Sequence, residues 1–203
     1  MDEIGLFPLE LVLLPGERLP LHIFEERYKE LIGECIEEGG AFGLVLADEA
    51  GIREVGTRAS LLTVLERFDD GRLNIVVEGG ERFQLIEVTE SRSFMTGGVD
   101  DLSDEDDEPT SEELEDCLAA YRRLVDVAEA DVDEPDAEPA GLAYAIAARV
   151  DLGPEIKQEL LELRSERERV LRLGPLLTHA AEALSRDRDI RNRASGNGRV
   201  EAV

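Results

Sequence analysis

The sequence predicts an α+β fold: a small, mostly antiparallel β-domain carrying one helix, followed by a small bundle of helices. Short stretches rich in β-branched and other apolar residues, separated by Gly and Pro turns, indicate the β-domain over residues 1–99. Apolar residues then recur at helical spacing over residues 112–184, which indicates a helical subdomain. The length of 203 residues leaves room for two small cores.

The β-domain begins with a strand that turns back at Pro15-Gly16. Proline fixes φ at the first central position of such a turn, and glycine tolerates the positive φ of the second. Pro20 lacks an N–H, so the strand over residues 19–24 is expected to be an edge strand or a bulged strand, not a central one. A helix follows and ends at Gly39-Gly40. Its apolar face is predicted to consist of Phe24, Tyr28, Leu31, Ile32, Cys35 and Ile36.

A β-hairpin is predicted in the second half of the β-domain. Residues 61–68 and 72–77 are rich in β-preferring side chains, and Asp70-Gly71 between them is a strong hairpin signal. Alternation along the second strand places Leu73, Ile75 and Val77 on one face.

An acidic linker is predicted between the two parts, at residues 100–111. Its run of like charges from Asp100 to Glu108 cannot bury enough apolar surface to offset the entropy of ordering the chain. Thr110 and Glu113 then form a candidate capping box at the start of the first helix of the bundle.

Two further helical stretches follow an acidic break at residues 129–138. One begins near Pro139 and ends before Gly153-Pro154, and the last runs from Ser165 to Leu184. Pro175 is expected to kink or break this last helix near Leu173. Residues 185–203 are predicted to be a disordered tail.

These segments, taken in order, resemble the N-terminal, substrate-binding domain of the ATP-dependent protease Lon. The similarity is clear over residues 4–88 and weaker over 112–184, where Lys157-Gln158-Glu159-Leu160-Leu161-Glu162 carries it. The matching segments of the β-domain are Leu6-Phe7-Pro8-Leu9, Leu14-Pro15-Gly16, residues 19–25 with Arg27-Tyr28, Phe42-Gly43-Leu44-Val45, Val55-Gly56-Thr57, residues 70–75 and Gly79-Gly80-Glu81-Arg82-Phe83.

The resemblance implies a PUA-like, partly closed barrel for residues 1–99 and a stand-alone relative without the ATPase and protease domains. It also implies structural roles for several matching residues. Arg27 is expected to pair with Glu25 or with a helix end. The aromatic residues expected in the core are Phe7, Phe24, Tyr28 and Phe83.

Enzymatic activity is not expected, and no cofactor is implied. The chain has no Gly-x-x-x-x-Gly-Lys-[Ser/Thr] loop to hold phosphates. Its two lysines, Lys29 and Lys157, are predicted on helix surfaces with charged neighbours, so neither is a desolvated base that could activate a serine.

No catalytic or metal-binding residue is assigned. His22 and His179 stand alone in the sequence, and Cys35 and Cys117 fall on apolar helix faces as small buried hydrophobic residues. The acidic residues 104–108 lack the spacing of a calcium-binding loop.

The net charge of −26 disfavours nucleic acid and anionic membrane as partners. Self-repulsion of this charge favours a monomer. A PUA-like module that binds RNA or a small ligand is the alternative function, because four arginines of the tail could contact phosphate. They are Arg186, Arg188, Arg191 and Arg193.

A cytoplasmic location is expected. The first residues, Met1-Asp2-Glu3, do not form a signal peptide, and the longest uncharged apolar stretch, residues 140–148, is too short to cross a bilayer. Two separated cysteines suit a reducing compartment.

The favoured function is a non-enzymatic module that captures exposed hydrophobic or unfolded polypeptide segments, as the resemblance implies. A module that docks one dedicated protein partner is the other possibility. The candidate contacts are Phe68 beside the hairpin turn, Phe94 and Met95 near the domain boundary, and Glu26 and Lys29 as polar edges. Phe94 and Met95 have the alternative role of sealing the core between the two parts.

Overall fold

The computed structural model describes residues 2–89 and 92–196, and the chain forms two compact units. The barrel unit comprises Met1–Glu105 and Ala147–Arg164, and the helical unit comprises Asp106–Ile146 and Ser165–Val203. In chain order the elements are β1 (Asp2–Leu9), β2 (Arg18–Ile23), α1 (Glu26–Glu38), β3 (Ala41–Asp48), β4 (Gly51–Ile52), β5 (Val55–Arg67), β6 (Leu73–Thr89), β7 (Thr96–Asp101), α2 (Ser111–Ala128), a 3₁₀ turn (Pro139–Gly141), α3 (Leu142–Ala147), α4 (Gly153–Glu162) and α5 (Glu166–Gly196).

The sheet of the barrel unit closes on itself. Its neighbouring strands run in the order β1, β7, β6, β5, β3, and β1 pairs back with β3 in parallel, with Leu6 opposite Gly43. The other pairings around the ring are antiparallel. The structure therefore confirms the predicted mostly antiparallel barrel that carries a helix.

Strand β2 lies outside this ring and pairs with the first half of β6, with Pro20 opposite Val76. The predicted edge strand is thus confirmed. The preceding turn also forms as predicted, because Gly16 adopts φ 76°. Its backbone is fixed on β6: Gly16 N donates to the carbonyl of Gly79 (2.8 Å), and Gly79 N donates to the carbonyl of Glu17 (2.9 Å).

Helix α1 packs its apolar face into the main core of the barrel unit. Gly39 ends the helix at φ 72°, and its N–H donates to the carbonyl of Cys35. Tyr28 packs on Phe7 with ring centroids 4.0 Å apart, and Phe42 lies in the same cluster. The predicted aromatic core is confirmed for Phe7, Tyr28 and Phe83.

Phe24 corrects this part of the prediction, since its side chain is 58% exposed. The chain is still extended between β2 and α1, so neighbouring side chains point to opposite faces. Ile23 takes the inward position and is buried, which leaves Phe24 on the outside. The helical spacing predicted for residue 24 does not apply, because α1 begins at Glu26.

Helix α4 belongs to the barrel unit, although the sequence assigned it to the helical part. Arg82 on β6 is buried and donates from Nη1 to the carbonyls of Leu161 (2.6 Å) and Leu163 (2.7 Å) at the end of α4. Its Nη2 pairs with Asp104. The Arg82 fork thus occupies backbone acceptors that the last turn of a helix leaves unpaired.

Two further contacts hold α4 on the strands. Gln158 is buried and donates to the carbonyl of Val55 (3.1 Å). Lys157 Nζ lies 2.6 Å from Glu17 Oε1, and Glu17 also accepts the N–H of Leu14. This helix therefore reaches both the barrel wall and the turn that precedes β2.

In the helical unit, α2 begins with the predicted capping box. Glu113 N donates to Thr110 Oγ1 (3.2 Å), and Thr110 N donates to Glu113 Oε2 (2.8 Å). Arg167 of α5 also bonds Glu113, and together these donors hold the pKa of the Glu113 carboxyl below its usual range. The cap thus fixes the start of α2 against α5.

Helix α5 is longer than the sequence predicts. It continues through Pro175, so the expected break does not occur. It also extends through residues 185–196, where the sequence predicts a disordered tail; residues 197–203 lie outside the described residues. Arg188 bonds Val127 O (3.2 Å) and pairs with Glu129, at the end of α2, which explains the additional turns.

A buried ion pair ties α3 to α5 within the helical unit. Arg169 is fully buried, lies over the ring of Tyr144 and donates to Glu166 (2.9 Å). Glu166 in turn accepts the N–H of Ala143 (2.7 Å). The charge of Arg169 is therefore compensated inside the core.

Candidate functional site

An exposed sheet face lies where β2, the first half of β6 and the second half of β5 run side by side. Leu73, Ile75 and Val77 of β6 are buried, so the alternate residues of this strand point outwards. The register places Pro20 and Thr63 on either side of Val76, and His22 and Glu66 on either side of Asn74. We call this surface the outer face; it consists of Pro20, His22, Leu62, Thr63, Leu65, Glu66, Asn74 and Val76.

Two leucines lie on this face because β5 is irregular. The register between β5 and β6 shifts between Leu61 and Thr63 and again between Val64 and Glu66. Each shift leaves one residue of β5 without a partner, which is the pattern of a β-bulge. The extra residues are Leu62 and Leu65, which are 47% and 63% exposed.

Aromatic side chains close one end of the outer face. The ring of His22 stacks on Phe24 with centroids 5.9 Å apart, and Phe68 meets His22 edge-on at 6.1 Å. The guanidinium of Arg72 lies 4.9 Å from the centre of the Phe68 ring. Lys29 borders this end: its Nζ donates to the carbonyl of Asp70 (3.0 Å).

The predicted contacts divide into two groups. Phe68 is half-buried, and Lys29 pairs with the exposed Glu26 (2.7 Å), so these three lie together at the aromatic end. Phe94 is 2% exposed and packs in the main core of the barrel, so the prediction of a surface contact is wrong for Phe94. Met95 is half-buried and packs against the second core cluster of the same unit.

Sequence reasoning named none of the residues of the outer face as contacts. The exposed apolar side chains that it missed are Leu62 and Leu65 on this face and Phe24 at its aromatic end. A signal for the leucines was present, because Leu61-Leu62 and Val64-Leu65 interrupt the alternation of a regular strand. Such doubled apolar residues are what a bulge produces when one of each pair faces the core.

Ion pairs with both signs of charge border the outer face. Arg18 pairs with Glu78 across β2 and β6 (3.0 Å), and Arg72 pairs with Asp70 (2.7 Å). A single-sign field of the kind that attracts phosphate is not built by these residues.

The two cysteines and His179 lie outside the outer face. Burial, with the charge of Glu166, raises the pKa of the Cys117 thiol to about 11, and burial likewise raises the pKa of Cys35. Both thiols therefore stay protonated at neutral pH. His179 lines a groove of about 530 Å³ between α2 and α5.

The described part of the chain contains neither a metal-binding cluster nor a membrane-spanning helix. Within residues 2–89 and 92–196, three or more His, Cys, Asp or Glu side chains nowhere come together as a metal site. Over the same residues, every helix is too short or too polar to span a bilayer.

Comparisons with known proteins show which family the chain is similar to. The sequence profile of the ATP-dependent protease La (LON) substrate-binding domain matches residues 3–179. The chain is 28% identical over 194 residues to the Lon protease of Parabacteroides distasonis, covering 85% of this chain and 23% of that protein. It is 26% identical over 211 residues to Lon protease 2 of Syntrophobacter fumaroxidans, covering 95% and 26%. The chain thus spans about a quarter of the length of these curated relatives.

Solved structures agree with the sequence comparison. A Lon N-terminal domain protein from Xanthomonas campestris superposes with a TM-score of 0.69 at 25% identity, covering 85% of this chain and 97% of that one. The N-terminal domain of the Mycobacterium avium complex Lon protease shares the fold, with a TM-score of 0.64 at 18% identity, covering 89% and 98%. With the profile match over most of its length, the chain belongs to the LON substrate-binding domain family.

Proposed function

We propose that this chain is a non-enzymatic module that binds exposed apolar segments of unfolded polypeptides on the outer face. The observation that carries the proposal is the exposure of Leu62, Leu65 and Phe24 within one small region of a chain with a net charge of −26. Family membership supports a substrate-binding role, because the matching domain of Lon is the one described by that role.

The outer face fits an extended polypeptide better than a compact ligand. Its apolar side chains are spread over three neighbouring strands, as the side chains of an extended segment are spread along its length. At its side, β2 is an edge strand whose Pro20 has no N–H, so the backbone there resists pairing between copies of the sheet. Contacts through side chains would therefore supply most of the affinity.

The bulged leucines provide the first test. Burying one exposed leucine contributes about 1 kcal/mol or more, so losing two is expected to weaken binding at least about tenfold. We expect the double variant L62S/L65S to bind fluorescein-labelled β-casein, an unfolded chain, at least about tenfold more weakly than the unchanged protein. Fluorescence anisotropy at two salt concentrations measures this, and the affinity of the unchanged protein is expected to vary little with salt.

The matched control is L171S/I190S, which removes two apolar side chains of comparable exposure, 51% and 64%, from α5. Equal losses in both double variants would contradict the outer face as the binding surface. Strong, salt-sensitive binding of single-stranded RNA without binding of β-casein would instead favour the alternative function. The same titration, made with variants of Phe68, Glu26 and Lys29, tests whether these residues border the binding surface. The cytoplasmic location and the monomeric state stay predictions.

A further inference from the structure

A chain of hydrogen bonds crosses the three strands of the outer face. Asn74 of β6 lies between its register partners, His22 of β2 and Glu66 of β5. Asn74 Nδ2 donates to Glu66 Oε2 over 2.9 Å, and His22 Nδ1 lies 2.7 Å from Asn74 Oδ1. The three side chains therefore form one continuous polar line under the proposed path of the polypeptide.

The carboxylate fixes the direction of every bond in this line. An ionised carboxylate can only accept, so Glu66 requires the amide nitrogen of Asn74 to point towards it. The carbonyl oxygen of Asn74 then faces His22 and can only accept as well. The neutral ring of His22 must therefore carry its hydrogen on Nδ1, which leaves Nε2 with a free lone pair.

The position of His22 makes this lone pair accessible. Its side chain is exposed, and its ring lies between the exposed ring of Phe24 and the edge of Phe68. An apolar segment that covers these aromatic rings also brings its backbone close to Nε2. A backbone N–H buried there needs an acceptor, because an unpaired buried amide costs about 1–3 kcal/mol.

We propose that His22, held in its Nδ1–H form by Asn74 and Glu66, accepts a hydrogen bond at Nε2 from a backbone N–H of the bound polypeptide segment. His22 thereby selects extended segments whose backbone amides are unpaired. In helices and sheets these amides already donate to other carbonyls. The inference rests on the proposed function and assigns a specificity-determining contact within the same face.

Protonation of His22 removes this acceptor. The protonated ring donates from both nitrogens, so the N–H at Nε2 faces the N–H of the ligand and cannot accept a hydrogen bond from it. The ring then also carries a positive charge beneath an apolar segment, which is unfavourable. Affinity should therefore be lower when His22 is protonated than when its ring is neutral. The charged groups near His22 are Glu66 on β5, Asp70 and Arg72 at the hairpin, and Glu26 and Lys29 on α1.

The test compares binding of labelled β-casein at about pH 8 and pH 5.5. For the unchanged protein we expect affinity to fall about fivefold or more, the effect of about 1 kcal/mol. His22→Gln offers an acceptor that does not titrate, so this variant should bind about equally at both pH values. His179→Gln, which removes the other histidine of the chain, should retain the full loss.

A spectroscopic measurement tests the tautomer without ligand. Because the chain has two histidines, ¹⁵N imidazole shifts can be assigned from the His179→Gln variant, and we expect neutral His22 to be protonated at Nδ1. In Asn74→Ala the ring should lose this preference, and affinity at about pH 8 should fall.

An Nε2–H tautomer in the free protein would overturn the inference. So would β-casein binding that is equal at both pH values in the unchanged protein; in that case the proposed function stands and the contact at His22 falls. Absence of β-casein binding at both pH values would overturn the proposed function and this contact together.

Discussion

Arg82→Ala is expected to destabilise the barrel unit by about 3 kcal/mol, because a buried, charged donor to two backbone carbonyls is lost. The variant removes the guanidinium that bonds the carbonyls of Leu161 and Leu163 and pairs with Asp104. Urea unfolding followed by circular dichroism measures the loss. Amide hydrogen exchange should show that α4 loses protection more than the barrel strands do.

The matched control is Arg18→Ala. Arg18 also extends from a strand of the same unit and pairs with a carboxylate, Glu78, but its side chain is exposed, so its loss should cost at most about 1 kcal/mol. The loss of stability in Arg82→Lys should lie between the losses in these two alanine variants. An ammonium keeps the charge but lacks the fork of donors that reaches two carbonyls and Asp104. A cost for Arg82→Ala as small as that of the control would show that α4 is held by other contacts.

Gly79→Ala is the second substitution with a large expected effect. A Cβ at this position would lie 2.2 Å from the carbonyl oxygen of Leu14, which belongs to the backbone of the turn before β2. A backbone atom cannot rotate away as a side chain can, so either the turn or β6 must move. We expect a loss of about 3 kcal/mol, measured by thermal or urea unfolding.

Gly33→Ala on α1 is expected to change the stability in the opposite direction. A Cβ there meets nothing within 4 Å, so the variant adds a methyl group without a clash. Alanine in a helix interior is more favourable than glycine by about 1 kcal/mol, and the variant should be more stable than the unchanged protein. If both alanine variants lowered stability equally, the close approach at Gly79 would not explain the result.

Local features of this fold could be predicted from the sequence. The turn at Pro15-Gly16, the helix end at Gly39 and the capping box of Thr110 and Glu113 each depend on residues within a few positions of one another. Phe24 shows the limit of such reasoning, because one position decides whether the strand or the helix sets the direction of its side chain.

Features that depend on distant residues could not be predicted. The partners of Arg82 on α4 lie 79 and 81 positions away along the chain, and no spacing rule connects them. The same applies to the candidate site, since neither Leu62 nor Leu65 is marked as exposed until the register of β5 on β6 is known. Bulges are a property of pairing, and pairing is set by the whole sheet.

The return of the chain to the barrel unit has a consequence for how the protein is made. The chain leaves this unit after Glu105 and contributes α4 to it again from Ala147. During synthesis, the strands up to β7 therefore emerge from the ribosome well before the helix that Arg82 must engage. Until then, Arg82 can pair with Asp104 but cannot form its bonds to the carbonyls of Leu161 and Leu163, so the last step of folding for the first-made part depends on residues made much later. A chain released before α4 has emerged would lack these two bonds and would be cleaved by proteases more readily than the complete chain.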